Sequence, residues 1–181
     1  AYDNYASYVG WCRPLHKAWF NAVAAADLVT VAGPSLAQLF SAHGRTGRTV
    51  VLPMAVDPVG FHPRDRFRAR AQLGLPPLAP YIGYFGSIAR SRGISTLFDA
   101  WQGLRADIPD VRLLLGGRLD PDIEVPAGAD FLGYLSDPSV PTAIACADVV
   151  AIVNKASAFG DYSYPIKLYE AMAMGVHAVA S

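Results

Sequence analysis

Short apolar runs alternate with amphipathic segments along most of the chain, and this alternation predicts strands joined by helices. The spacing of three and four between Ile94, Leu97, Trp101, Leu104 and Ile108 is typical of a helix with one buried face. Continuous apolar strands that alternate with helices favour a parallel sheet covered on both faces. The predicted fold class is therefore α/β, a doubly wound parallel sheet. The predicted strands are 28–32, 49–52, 81–88, 111–115, 131–135, 148–153 and 177–180, and the longer predicted helices are 34–43, 94–108, 140–146 and 165–174.

One further short helix is predicted after Pro63, where arginines stand at alternate positions. On a period of 3.6 residues these arginines spread around the helix, so a solvated surface is favoured over a phosphate-binding patch. They are Arg64, Arg66, Arg68 and Arg70.

Composition and charge exclude several classes of protein. Hydrophobic residues make up 52% of the chain, and 15 basic residues balance 15 acidic ones, which argues against a disordered chain or a nucleic-acid binder. No window approaches the roughly 18 apolar residues of a membrane span, and the polar, tyrosine-rich start is not a secretory signal. Cys12 and Cys146 form neither a disulfide framework nor a zinc motif, which favours a reducing, cytoplasmic setting. The start at Ala1 and the end at Ser181, within an apolar run, predict a fragment of a longer protein.

The first candidate binding segment joins the strand that begins at Tyr81 to the next helix. Gly86 and Ser87 follow the strand, and Arg90 and Arg92 come shortly after. Glycine lets backbone N–H groups approach an anion, and arginine binds phosphate oxygens in a bidentate manner. The segment matches neither the G-x-G-x-x-G fingerprint nor a P-loop, so ordinary surface arginines remain an alternative.

The second candidate segment is the helix that follows Pro165. Lys167 lies in the first turn of this helix, where the helix dipole disfavours a cation. It also precedes Glu170 by three residues, and a lysine before a glutamate stabilises a helix less than the reverse order. The functional interpretation is an anion site, with Lys167 for a diphosphate and Glu170 for the hydroxyls of a ribose. A routine surface ion pair is the alternative. Asp161 lies in a loop of Gly, Asp, Tyr and Ser residues and is either a turn former or a catalytic carboxylate.

Four segments resemble the group 1 glycosyltransferases of family 4. Residues 25–36 (AADLVTVAGPSL) are similar to the family pattern ADLV..SP.L, and residues 52–57 (LPMAVD) followed by Phe61 are similar to PNGVD..F. Residues 86–93 match the loop G.L...KG, with Ser87 where arginine is common and Arg92 where lysine is usual. Residues 165–173 (PIKLYEAMA) are close to the form SPLKLYEYMA of one branch of the family.

This resemblance implies a GT-B architecture, in which two Rossmann-like domains face each other across a cleft. Residues 1–52 would be the tail of the acceptor-side domain, 53–80 a linker with a short helix, and 81–181 a truncated domain that binds the nucleotide sugar. Arg92 would bind the donor phosphates and Glu170 the ribose. Tyr162 stands where the family has the first of two glutamates, which contacts the donor sugar, and neighbouring Asp161 would be the catalytic substitute.

The resulting hypothesis is an enzyme that transfers a sugar from a nucleotide diphosphate sugar with retention of anomeric configuration. The donor-binding residues would be Gly86, Ser87, Arg92, Tyr162, Pro165, Lys167 and Glu170. No cofactor and no metal are expected, since the chain has no DxD cluster. The acceptor would be a carbohydrate or a lipid-linked molecule, with contact at the inner face of the membrane left open.

Two other functions remain as alternatives. A non-catalytic GT-B half that binds a nucleotide or a protein partner is favoured by Tyr162. An unrelated doubly wound nucleotide-binding protein is disfavoured, because the first strand lacks a G-x-G-x-x-G turn and the strand ends lack an acidic cluster.

Overall fold

A computed structural model describes residues 9–155, 162 and 165–181, which form two compact units. The first unit contains the described residues up to Ala55, together with Tyr162 and Pro165. The second contains Val56–Lys155 and Ile166–Ser181. No helix within the described parts of the chain is both long and apolar enough to cross a membrane.

The first unit is a pair of parallel strands covered by two helices. Its elements are α1 (Arg13–Ala25), β1 (Leu28–Val31), α2 (Pro34–Ala42) and β2 (Arg48–Val51). Phe20, Val31, Leu36 and Phe40 are its buried apolar residues. The buried Arg45 guanidinium donates to the Val23 and Ala26 carbonyls near the end of α1. Helix α1 lies in a segment for which the sequence analysis predicted no element.

The second unit contains five parallel strands with helices on both faces, which confirms the predicted fold class. The strands lie in the order β5-β4-β3-β6-β7, and chain order therefore reverses direction between β3 and β6. Its elements are α3 (Arg66–Gln72), β3 (Tyr81–Phe85), α4 (Ile94–Leu104), β4 (Arg112–Gly116), β5 (Asp130–Phe131), α5 (Val140–Ala145), β6 (Val149–Ile152), α6 (Ile166–Ala173) and β7 (His177–Ala180).

Apolar side chains that alternate in direction along the strands give the sheet two buried faces. Tyr81 and Phe85 of β3 belong to one apolar cluster, and Tyr84 belongs to the other. Helices α3, α5 and α6 contribute buried residues to the first cluster, whereas Ile94, Leu97 and Trp101 of α4 belong to the second. Successive side chains of a strand point to opposite faces, so these helices cover the sheet on both sides.

Three predicted elements end at least three residues earlier in the structure than the apolar pattern suggested. The strand predicted at 81–88 ends at Phe85, because Gly86 has φ +138°, outside the β region. The strand predicted at 131–135 is only Asp130–Phe131, and Gly133 follows with φ +72°. The helix predicted at 94–108 ends at Leu104. Beyond these ends Ile88 is still buried, whereas Tyr134 and Ile108 are exposed, so the apolar pattern there includes side chains that lie at the surface.

The sequence analysis predicted that the four arginines of residues 64–70 are solvated. This prediction is wrong for Arg70. Its side chain is 2% exposed. The guanidinium donates to the Cys146 carbonyl at 2.9 Å, to the Pro77 carbonyl at 2.7 Å and to Asp148 Oδ2 at 2.8 Å. Arg66 also pairs with Asp148, whose Oδ2 accepts the Tyr81 N–H. The short helix α3 is therefore held to the starts of β3 and β6 by a buried cation and its partners.

Replacing Arg70 with Met should lower the free energy of unfolding by about 3 kcal/mol, because the change removes the donor of two buried carbonyls and the buried cation that pairs with Asp148, which keeps only Arg66 and the Tyr81 N–H. Arg90→Met is the matched control. Arg90 pairs with Asp122, but its side chain is 70% exposed, so the expected loss is below about 1 kcal/mol. Urea denaturation of both variants measures the difference, and equal losses would contradict this account of α3.

Candidate functional site

The strand order creates an opening at the carboxyl ends of β3 and β6. The chain leaves β3 toward α4 and β4 on one side, and leaves β6 toward α6 and β7 on the other. Ligands of open α/β sheets bind at such a reversal of strand order, outside the carboxyl ends of the strands. Both candidate segments of the sequence analysis, Gly86–Arg92 and the start of α6, follow these two strands.

Lys167, the second residue of α6, lies directly over Gly86. A Cβ atom built on Gly86 would overlap Cε and Nζ of the lysine, so the space of the missing side chain is occupied by the amine. The Gly86 N–H donates to the Gly116 carbonyl at 2.8 Å, which holds this backbone at the edge of the sheet. The structure therefore brings the two predicted segments into contact at the opening.

Arg92 and Glu170 lie in the same electrostatic neighbourhood as Lys167. Arg92 is the last residue of a 3-10 turn, Arg90–Arg92, and is half-buried. Burial and the charge of Arg92 lower the pKa of Lys167, and the Glu170 carboxylate opposes that shift. Two cations and one carboxylate thus act on one another in a partly buried environment, which favours an anion that both cations can bind.

Glu170 is a half-buried carboxyl group with charged neighbours of both signs. Burial raises the pKa of Glu170, the Lys167 ammonium lowers it, and the Asp137 carboxylate raises it further. Asp137 begins the 3-10 turn Asp137–Ser139 that follows β5, and the sequence analysis did not single it out. Its position after a strand of the sheet is the signal that could have identified it.

Tyr84 is a second residue of this neighbourhood that sequence reasoning missed. Its hydroxyl donates to the Ser87 carbonyl at 2.8 Å, and Lys167 Nζ lies 6.0 Å from the centre of its ring. Burial raises the pKa of Tyr84, and the charge of Arg92 opposes the shift. From sequence, Tyr84 looks like one more apolar residue of a buried strand, so only its position two residues before Gly86 could have drawn attention to it.

The other predicted residues have the following surroundings, where the structure describes them. Tyr162 packs against the apolar cluster of the first unit, which contains Phe20 and Phe40. Pro165 directly precedes α6, which begins at Ile166. Asp161 lies outside the described residues. Arg90 forms the exposed ion pair with Asp122.

Metal-ligating side chains are not gathered in the described parts of the chain. Within residues 9–155, 162 and 165–181, no group of three or more His, Cys, Asp or Glu side chains could hold a metal ion.

Comparison with known proteins connects the second unit to one family. Residues 79–181 match the family model described as glycosyl transferases group 1. The chain is 30% identical to the phosphatidyl-myo-inositol mannosyltransferase of Mycobacterium tuberculosis over 182 aligned residues, which cover 96% of this chain and 43% of that protein. It is 32% identical to the D-inositol 3-phosphate glycosyltransferase of Segniliparus rotundus over 145 residues, 72% of this chain and 31% of that protein. The chain thus spans less than half the length of these curated relatives.

Solved structures show the same fold. The sucrose-phosphate synthase of Thermosynechococcus elongatus superposes with a TM-score of 0.74 and 26% identity, over 92% of this chain and 44% of that one. Anabaena HepE, solved in complex with UDP-glucose, superposes with a TM-score of 0.75 and 23% identity, over 98% of this chain and 51% of that one.

Gly86→Ala should cost about 1–3 kcal/mol of unfolding free energy, because its φ of +138° is open to glycine and strained for alanine. It should also displace the lysine, whose flexible end yields to the new methyl group. Gly103→Ala is the control, since a Cβ at this position in α4 meets no atom within 4 Å and alanine favours a helix. Thermal unfolding and the NMR signal of the Lys167 side chain measure both effects. An unchanged lysine signal in Gly86→Ala would contradict the close approach.

Proposed function

The chain belongs to the group 1 glycosyltransferases, and we propose that its second unit binds a nucleotide diphosphate sugar. The protein would transfer the sugar of this donor to an acceptor with retention of anomeric configuration. The observation that carries the proposal is the meeting of Arg92, Lys167 and Glu170 at the opening between β3 and β6. The division into an acceptor-side tail (1–52), a linker (53–80) and a donor-binding domain (81–181) is part of this proposal.

The two cations would act on the leaving group. When the bond between the anomeric carbon and the phosphate oxygen breaks, the nucleoside diphosphate takes the bonding electrons and gains negative charge. Arg92 and Lys167, already held together and partly desolvated, would stabilise that charge without moving. The acceptor hydroxyl would then bond to the anomeric carbon on the face that the leaving group vacated and pass its proton to the departing diphosphate, which gives retention.

Glu170 would orient the nucleoside. A carboxylate accepts hydrogen bonds from the two hydroxyls of a ribose, as the acidic residue of a dinucleotide-binding site does. Glu170 lies one turn after Lys167 on α6, so one short helix would hold both the diphosphate and the pentose. A helix N-terminus that points at the phosphates adds a favourable dipole.

The relatives support the donor class and suggest the acceptor class. HepE is solved with UDP-glucose, and the mycobacterial relative is named for transfer of mannose to phosphatidyl-myo-inositol. We propose a carbohydrate or a lipid-linked acceptor for the protein to which this chain belongs. Because Arg92 and Lys167 supply positive charge to the phosphates, we propose transfer that needs neither metal nor cofactor.

A non-catalytic nucleotide-binding module is the second candidate function. It is favoured by one observation, the packing of Tyr162 against the apolar cluster of the first unit at a position where the resemblance expects a sugar-binding glutamate. A product assay with nucleotide sugars separates the two functions. Transfer or donor hydrolysis supports the enzyme, and nucleotide binding without turnover supports the module.

Arg92→Ala and Glu170→Ala should each weaken the binding of UDP or GDP by about 10- to 100-fold, because each removes charge-assisted hydrogen bonds. Arg90→Ala is the matched control, since it removes an arginine from the same turn that pairs instead with the exposed Asp122. Isothermal titration calorimetry measures the affinities. If Arg92→Ala and Glu170→Ala bind both nucleotides as well as the parent does, the assigned site is wrong.

Nucleotide affinity should fall on acidification, beginning at a higher pH than an ordinary glutamate would give. Burial raises the pKa of Glu170, and only its deprotonated form accepts hydrogen bonds from both ribose hydroxyls. Glu170→Gln carries no titrating group, so its affinity should be lower and should lose the part of the acid dependence that is due to this residue. Identical pH profiles for the parent and Glu170→Gln would show that the carboxylate does not bind the ribose.

A further inference from the structure

Tyr84 is a buried polar residue to which the proposed transfer assigns no role. Its side chain is 3% exposed and belongs to the apolar cluster on the α4 face of the sheet. The backbone position two residues later is Gly86, where β3 ends and the loop toward Arg92 begins. A phenol in this place needs a partner for its hydroxyl, since an unpaired buried hydroxyl is costly.

The partner is the loop that leads to Arg92. The Tyr84 hydroxyl donates to the Ser87 carbonyl at 2.8 Å, and this hydrogen bond attaches the first part of the loop to β3. Ile88 continues the attachment, because its N–H donates to the Arg118 carbonyl at 2.8 Å. Two hydrogen bonds thus fix the loop before the chain reaches the 3-10 turn that ends with Arg92.

The ring has a different partner, the amine of Lys167. Helix α6 covers the opposite face of the sheet from Tyr84, and the lysine crosses the sheet edge over Gly86 to reach the ring. Its Nζ lies 6.0 Å from the ring centre, at the limit of a cation–π contact. The aromatic face therefore favours the charged form of an amine that burial disfavours.

We propose that Tyr84 is a positioning residue for the diphosphate of the donor, with its hydroxyl holding the loop of Arg92 and its ring holding the ammonium of Lys167. The inference rests on the proposed function, because it concerns the same site. Tyr84 would thus align two cations, Arg92 and Lys167, that belong to different parts of the fold.

The charged and titratable groups that face Lys167 determine how this role depends on pH. Arg92 faces it from the 3-10 turn, Glu170 from its own helix and the Tyr84 ring from β3, while Asp137 acts on Glu170 from the turn after β5. Diphosphate binding should weaken as pH rises through the lowered pKa of Lys167. Loss of the ring removes a contact that favours the ammonium, so this alkaline weakening should begin at a lower pH.

Two variants of Tyr84 separate the hydroxyl from the ring. Tyr84→Phe keeps the ring and loses the bond to Ser87, and Tyr84→Leu loses both. Tyr81→Phe is the matched control, because Tyr81 lies in the same strand and is 1% exposed, and the charged neighbours of its hydroxyl are Asp130 and Arg112 rather than the loop of Arg92. The affinities of UDP, GDP and the corresponding nucleosides are measured by titration from about pH 6 up to about pH 10, which is near the ordinary pKa of a lysine, together with thermal unfolding.

Tyr84→Phe is expected to bind the diphosphates about 3- to 10-fold more weakly, with nucleoside affinity and the alkaline midpoint unchanged. Tyr84→Leu is expected to bind them still more weakly, with the midpoint at lower pH. Tyr81→Phe is expected to match the parent. If Tyr84→Leu does not fold, Tyr84→Phe and its control decide the question.

Three results would overturn the inference while leaving the proposed function intact. These are parent-like diphosphate binding by Tyr84→Phe, an equal loss for nucleosides and diphosphates, or the same loss in Tyr81→Phe. A parent protein that binds neither UDP nor GDP overturns the proposed function and this inference with it.

Discussion

The absence of a side chain at Gly86 determines the geometry of the opening between β3 and β6. Because the residue adopts φ +138°, β3 ends at the preceding Phe85, and because it carries no Cβ, the Lys167 side chain can pass over the backbone. The amine of α6 thereby reaches the far side of the sheet edge, near the Tyr84 ring and within the field of Arg92. A side chain at this position would displace the end of the Lys167 side chain from the space that it occupies over the backbone.

Two buried cations of the second unit, Arg70 and Lys167, have opposite kinds of surroundings. Arg70 is fully buried, and its guanidinium is satisfied by two carbonyls and by Asp148. Lys167 is instead placed beside another cation, so that its pKa is lowered, with Glu170 as the opposing charge. The first arrangement stabilises the fold. The second costs stability in the free protein and is the kind of local conflict expected where an anionic ligand supplies the missing charge.

Periodicity in the sequence predicted most elements of the sheet and the helices between them, because buried parallel strands are continuous apolar runs. The rule that ligands bind after the carboxyl ends of strands placed Arg92, Lys167 and Glu170 at one edge, and the structure brings them together. The sequence did not predict burial or side-chain contacts that depend on residues far away in the chain. Burial of Arg70 requires Asp148, 78 residues away, and the contact between Tyr84 and Lys167 requires a lysine on the opposite face of the sheet.

The central claim is that one opening of the second unit holds a nucleoside diphosphate by two cations and a carboxylate. A crystal structure of the protein with UDP or GDP tests it most directly. The account predicts that the diphosphate contacts Arg92 and Lys167 while the ribose hydroxyls contact Glu170. A nucleotide bound elsewhere, or bound at this edge with its phosphates turned away from both cations, would contradict it.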